Sequence, residues 1–177
     1  MLHYIYTRPL GGILAVMAVA LAAWGLLPRR IAAGRWRRGN ALLVPLTAAA
    51  ILYTTLLART ESAAGWSLTP FAALAAARQQ PELYREMLMN VFLFFPLGLT
   101  LSNALPRRWG RWLRIGVTTL VGCLLSAGIE YAQYRFCLGM AETDDVLCNT
   151  LGALLGAASL LIAHAIENHK KGHGTRT

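Results

Sequence analysis

Long apolar blocks separated by short polar stretches set the rhythm of this chain. Within a block the apolar positions keep neither the alternation of a strand nor the one-sided stripe of a surface helix. A helix that spans a bilayer needs about 20 mostly apolar residues. Five blocks approach or meet that length, at about 10–27, 41–58, 87–105, 115–134 and 145–166. They predict an all-α, polytopic transmembrane helix bundle of about five spans. The second block carries Pro45 one turn in, where a missing backbone donor does little harm. The third is preceded by Pro81, a helix starter, with Glu82 and Glu86 in its first turns, and Pro96 and Gly98 bend it. Residues 59–86 hold no full span. In them, Thr69 as N-cap and Pro70 at the first helical position predict a short helix over 70–78. It is too short to cross and lies at the interface or re-enters, either as a lid or as an inert connector. Trp66 just before it suits an interfacial aromatic belt.

Composition agrees with the blocks. Of 177 residues 56% are hydrophobic and 14% charged, against about 25% charged in a soluble domain. The length fits one membrane domain, residues 1–177, with the lipid bilayer as its principal partner. The net charge of +9 would suggest nucleic acid in a soluble chain. Here the cations sit between apolar blocks. Arg29, Arg30, Arg35, Arg37 and Arg38 follow the first block. Arg107, Arg108, Arg111 and Arg114 follow the third, and Lys170, Lys171 and Arg176 follow the last. The opposite ends carry Arg8, Arg59, Arg78, Arg85 and Arg135. The positive-inside rule then puts the N-terminus outside and the C-terminus in the cytoplasm of a bacterial inner-membrane protein, and no nucleic-acid partner is expected. A cleaved leader in place of the first span leaves the other four in the same orientation. Three cysteines, Cys123, Cys137 and Cys148, show no metal-ligand spacing and read as small apolar filler.

Polar residues gather at one set of helix ends. Asn90 lies about 4–5 Å into its span, and Glu130 and Asn149 about 6 Å into theirs, at 1.5 Å rise per residue. Glu130 and Gln133 are three apart, and Asp145 and Asn149 four apart, so each pair shares a helical face. The Asp145 face continues through Gly152 and Gly156, a small-residue stripe for close helix approach. Asp144 is expected to be exposed and to cap the fifth helix. Arg135 serves Glu130 as an ion partner or points to headgroups. The cluster Asn90, Glu130, Gln133, Asp144, Asp145 and Asn149 is either a hydrogen-bonded structural core or a ligand site, and Glu130 in the blander case snorkels to the surface. No catalytic residue, metal or cofactor is assigned. The chain has no HExxH and no serine–histidine pairing, and His164 reads as a packing residue. An enzyme on a lipid-linked substrate, or a small transporter, stays open as an alternative.

Three stretches together resemble the VanZ-like membrane protein family over about 41–166. They are Asn90-x-x-x-Phe94-x-Pro96-x-Gly98, Glu130-x-x-Gln133, and the run from Glu142 through Asp144, Asp145, Asn149 and Thr150 to Gly152. Trp66 to Phe71 resembles the family's Asn-Leu-x-Pro-Phe entry, with Ser67 at the Asn position. Many relatives carry a basic residue before the acidic run, where this chain has Gly139 and Met140. The resemblance implies a cell-envelope protein that lowers susceptibility to lipid-tailed glycopeptides such as teicoplanin. Its implied partner is a lipoglycopeptide or a lipid-linked cell-wall precursor.

Overall fold

The computed structural model describes residues 33–59, 65–77 and 80–174. The apolar block at 10–27 lies outside them. Four helices among the described residues are long and apolar enough to cross a membrane: Gly34–Leu57, Glu82–Ala104, Arg107–Arg135 and Thr143–Leu161. From Arg37 onward the chain forms one compact unit.

Helix α1 runs Ala33–Leu52 and continues as a π-helical turn, Tyr53–Leu57. It starts eight residues before the apolar block. Arg35, Arg37 and Arg38 therefore ride on its first turns rather than in a loop, and Pro45 lies in the helix interior. The π turn has a local cause. Thr54 and Thr55 donate their hydroxyls to the carbonyls of Ala50 and Ile51 at 2.7–3.0 Å. Side-chain donors on those carbonyls let the backbone ladder slip by one residue, and Ala58 N–H bonds the Tyr53 carbonyl at 2.8 Å.

Helix α3 spans Pro81–Ala104, with proline at its start as expected. A 3-10 turn, Arg107–Trp109, leads into α4, Gly110–Arg135. Arg114 is buried, and its Nε and Nη2 both donate to the Ser102 carbonyl. This fixes the α3–α4 hairpin at its basic end. At the other end α4 stops in a Schellman motif, in which Leu138 N–H reaches the Gln133 carbonyl and Cys137 N–H the Tyr134 carbonyl. Cys137 holds the left-handed position, φ 54°, where glycine is usual. Helix α5 runs Thr143–Gly174, past the end of the apolar block.

The all-α expectation needs one correction. Strand β1, Gly65–Ser67, pairs in parallel with β2, Met140–Glu142, in the register Gly65 to Met140 and Ser67 to Glu142. Between β1 and α3 lies α2, Ala72–Ala77, which begins two residues later than expected. Together β1, β2 and α2 roof one end of the bundle.

Beneath the roof the helices pack backbone to backbone. A Cβ on Gly98 would fall 2.1 Å from the Ala153 carbonyl oxygen, and one on Gly152 2.1 Å from that of Val91. A Cβ on Gly156 would meet the Phe95 oxygen at 2.2 Å. Such contacts replace the hydrophobic drive that lipid removes between membrane helices. Phe94, Leu97, Ile129 and Ala153 fill the centre, and Ile51 joins them from α1.

Candidate functional site

The roofed end brings the polar residues together in two levels. At the upper level, Asn90 Nδ2 on α3 donates to Asp145 Oδ1 on α5 at 2.6 Å. Glu130 on α4 is 6% exposed, and its Oε2 accepts the Glu142 backbone N–H at 3.0 Å. Glu130 therefore points under β2 rather than up to the surface. One turn deeper, Asn149 Nδ2 donates to Ser126 Oγ at 2.9 Å, joining α5 to α4. Asn149 thus faces a residue that sequence reasoning did not select. Ser126 stands four positions before Glu130, on the same face.

Gln133 parts company with Glu130. Its Nε2 reaches across to the Thr55 carbonyl on α1 at 2.9 Å. The last carbonyls of a helix lack intrahelical donors, so Gln133 ties the π-helical end of α1 to α4.

Asp144 overturns its expectation. It is 5% exposed, and it does not serve as the local cap of α5. Its two oxygens take the backbone N–H groups of Phe71 at 2.5 Å and Ala73 at 2.7 Å. The N-terminus of α2 is therefore closed by a carboxylate from α5, in the role the sequence suggests for Thr69. Phe71 adopts φ 63°, which turns the chain so that both donors converge on Asp144. Thr143 Oγ1 adds a bond to the Ser67 carbonyl at 3.3 Å, and the ring of Trp66 lies 4.2 Å from that of Tyr134. Trp66 is half exposed, so its ring both packs on α4 and faces outward.

The electrostatics are acidic. Asp145 lies within electrostatic reach of Glu130, Glu142 and Glu86. Among the described residues, the cation that acts on Glu130, Glu142 and Asp145 is Arg59, just past the end of α1. It takes the part the sequence suggests for Arg135. Outside the spans, Glu142 has its carboxyl pushed above the usual range, first by burial and then by the charges of Asp144 and Glu86. Among the described residues no group of three or more His, Cys, Asp or Glu side chains is arranged to hold a metal ion.

Pro96, Gly98, Gly152 and Gly156 lie on the α3–α5 seam or within its helices, directly below this cluster. The seam sets the distance at which Asn90 meets Asp145. Arg59, Ser126 and Glu142 were not assigned to the cluster by sequence reasoning, although Glu142 opens the family-like run. Arg59 ends an apolar block like any flanking cation, Ser126 looks like a small packing residue, and Glu142 lies in a strand too short to show a pattern.

Comparison with known proteins bears on the same stretch. The protein named VanZ from Enterococcus faecium is 31% identical over 107 residues, covering 59% of this chain and 58% of that protein. The match thus spans less than two thirds of the relative's own length. No solved structure matches the chain. The VanZ/LLP1 family model matches residues 44–164, from the middle of α1 into α5, and includes every residue of the cluster. Four bilayer-length helices and a family match over more than half of its length identify this chain as a membrane protein of the VanZ/LLP1 family.

Proposed function

We propose that this protein acts in the bacterial cell envelope without catalysing a reaction. Its roofed polar cluster engages the headgroup of a lipoglycopeptide such as teicoplanin, or of a lipid-linked cell-wall precursor, and so lowers susceptibility to the drug. The supporting observation is the Glu130 carboxylate, 6% exposed, with one backbone N–H as its hydrogen-bond partner among the described residues. Burying a carboxylate costs several kcal/mol unless it is well paired, and a glutamine of the same shape would serve packing alone at lower cost. An intramembrane ionisable group that structure alone does not require is by default a functional one.

In this proposal the roofed end faces outward, with a fifth span at 10–27, the N-terminus outside and the C-terminus cytoplasmic. The excess of cations at the other end supports that orientation. Thiol labelling of single cysteines placed at residues 68 and 108 in intact cells checks it.

The functional test compares the parent with Glu130→Gln in a host lacking its own relative. The parent is expected to raise the teicoplanin concentration needed for inhibition at least four-fold. The variant should keep the extracted protein's thermal stability and lose that effect. Unchanged susceptibility and unchanged folding in both Glu130→Ala and Asp145→Ala overturn the proposal.

A further inference from the structure

We infer that the start of α4 is a binding surface for an anionic phospholipid, whose phosphate meets Arg111 and its flanking arginines and one of whose acyl chains lies in a notch at Gly116. This surface is at the opposite end of α4 from the polar cluster and is independent of the function proposed above.

Its charge is uncompensated. Arg107, Arg108 and Arg111 are all exposed, at the end of a helix that is long and apolar enough to span. Arg107 also lies within electrostatic reach of the buried Arg114. No acidic residue occurs between Glu86 and Glu130. Glu86 stands near the start of α3, at the roofed end. Glu130 is 19 positions from Arg111 on α4, about 28 Å at 1.5 Å per residue. Past its apolar stretch α5 brings one acid, Glu167, together with Lys170 and Lys171, so the end of the bundle stays positive. A basic cluster beside a span attracts anionic lipid, whereas a zwitterionic headgroup gains little from it.

Two features exceed what membrane topology requires. Topology depends on the number of cations and is indifferent to how each is held. Here the Arg111 guanidinium lies over the Trp112 ring, 5.8 Å from its centroid, within cation–π range. Arg114, bonded through Nε and Nη2 to the Ser102 carbonyl, fastens the turn that carries the other arginines. The second feature is Gly116. Trp112, Gly116 and Leu120 succeed one another on one face of α4. Trp112 is 65% exposed and Leu120 58%, yet a Cβ on Gly116 would meet nothing within 4 Å. Glycine is a poor helix residue. Gly98, Gly152 and Gly156 are explained by a neighbouring backbone, but among the described residues no helix packs on Gly116. It leaves a notch between two bulky side chains, one turn further into the span than the ring that carries the Arg111 charge. An anion held above and hydrocarbon held below match the two halves of a phospholipid. A soluble phosphate would use the upper half alone.

Thermal unfolding of the purified full chain in detergent micelles tests this with three additives. They are dioleoylphosphatidylglycerol, dioleoylphosphatidylcholine, which has the same chains without net charge, and glycerol 3-phosphate, which has the phosphate without chains. The expected result is a saturable rise in unfolding temperature with phosphatidylglycerol that neither of the others reproduces. Arg111→Gln should weaken the apparent affinity for phosphatidylglycerol about 5-fold, the effect of one cation near an anionic headgroup. Gly116→Leu fills the notch and should also weaken it. Arg135→Gln removes an equal charge from the other end of α4 and should leave the affinity unchanged. All three positions are exposed, so the variants are expected to fold. An equal response to phosphatidylcholine overturns the inference, as does an equal loss in Arg135→Gln and Arg111→Gln. A matching response to glycerol 3-phosphate, or an unchanged affinity in Gly116→Leu, overturns the phospholipid as the occupant.

Discussion

Asp144 receives the backbone N–H of Ala73 at 2.7 Å and so closes the start of a helix 71 residues earlier in the chain. A six-residue helix has no independent stability in water or at an interface. Its order depends on this carboxylate and on the β1–β2 pair.

Removing that carboxylate should therefore loosen the roof and spare the bundle. Asp144→Ala is expected to cost about 1–2 kcal/mol, the usual range for a lost helix cap. Amide hydrogen exchange should accelerate across residues 71–77 while α3, α4 and α5 keep their protection. Uniform acceleration in all helices would show instead that the roof and bundle unfold as one unit.

The glycine seam gives a paired prediction. Gly98→Ala forces a Cβ to within 2.1 Å of a backbone oxygen, so the two helices must separate. A loss of about 2–4 kcal/mol is expected, as for other overpacked cores. Gly128→Ala, on the neighbouring helix with nothing within 4 Å, should be neutral or gain up to about 1 kcal/mol from helix propensity. Chemical unfolding in detergent micelles measures both.

Cys137 is exposed and occupies a left-handed position at the end of α4. A side chain there costs about 1–2 kcal/mol relative to glycine. Cys137→Gly should raise stability by up to about 1 kcal/mol after the glycine's extra unfolded-state freedom is deducted. A fall in unfolding temperature would mean that the thiol makes a favourable contact.

Glu142 governs a pH dependence. Its folded-state carboxyl titrates above its unfolded value because burial, Asp144 and Glu86 disfavour the charge. The folded form therefore holds the proton more tightly. The stabilising contribution is complete below the ordinary carboxylate range and is lost as pH rises through the raised value. Glu142→Gln should be more stable than the parent at neutral pH, with the gap closing under acid. Unfolding temperatures recorded for both proteins across the acid-to-neutral range check the sign.

Membrane spans, the proline start of α3 and the small-residue face of α5 were legible in the sequence, because each depends on neighbours within a few residues. The roof was not. Strands of three residues have no period to detect, and their pairing partner lies in a different part of the chain. Asp144 misled for the same reason. Its spacing before α5 matches a local cap, and nothing in the sequence marks Phe71 and Ala73 as its partners. Pro45 was misplaced because the apolar block begins at Ala41 while the helix begins at Ala33. Arginines on the first turns of a helix look the same, in sequence, as arginines in a loop.

The roof also has a history within each molecule. Residues 65–73 acquire their partners only from 140–144, so they wait while α3 and α4 are made. At about 5–20 residues per second, the 71 positions between Ala73 and Asp144 take roughly 4–14 s to synthesise. Through that interval Trp66, Leu68 and Phe71 have neither strand nor cap to hold them. Strand β2 and Asp144 just after it supply both within five residues, so pairing and cap become available together.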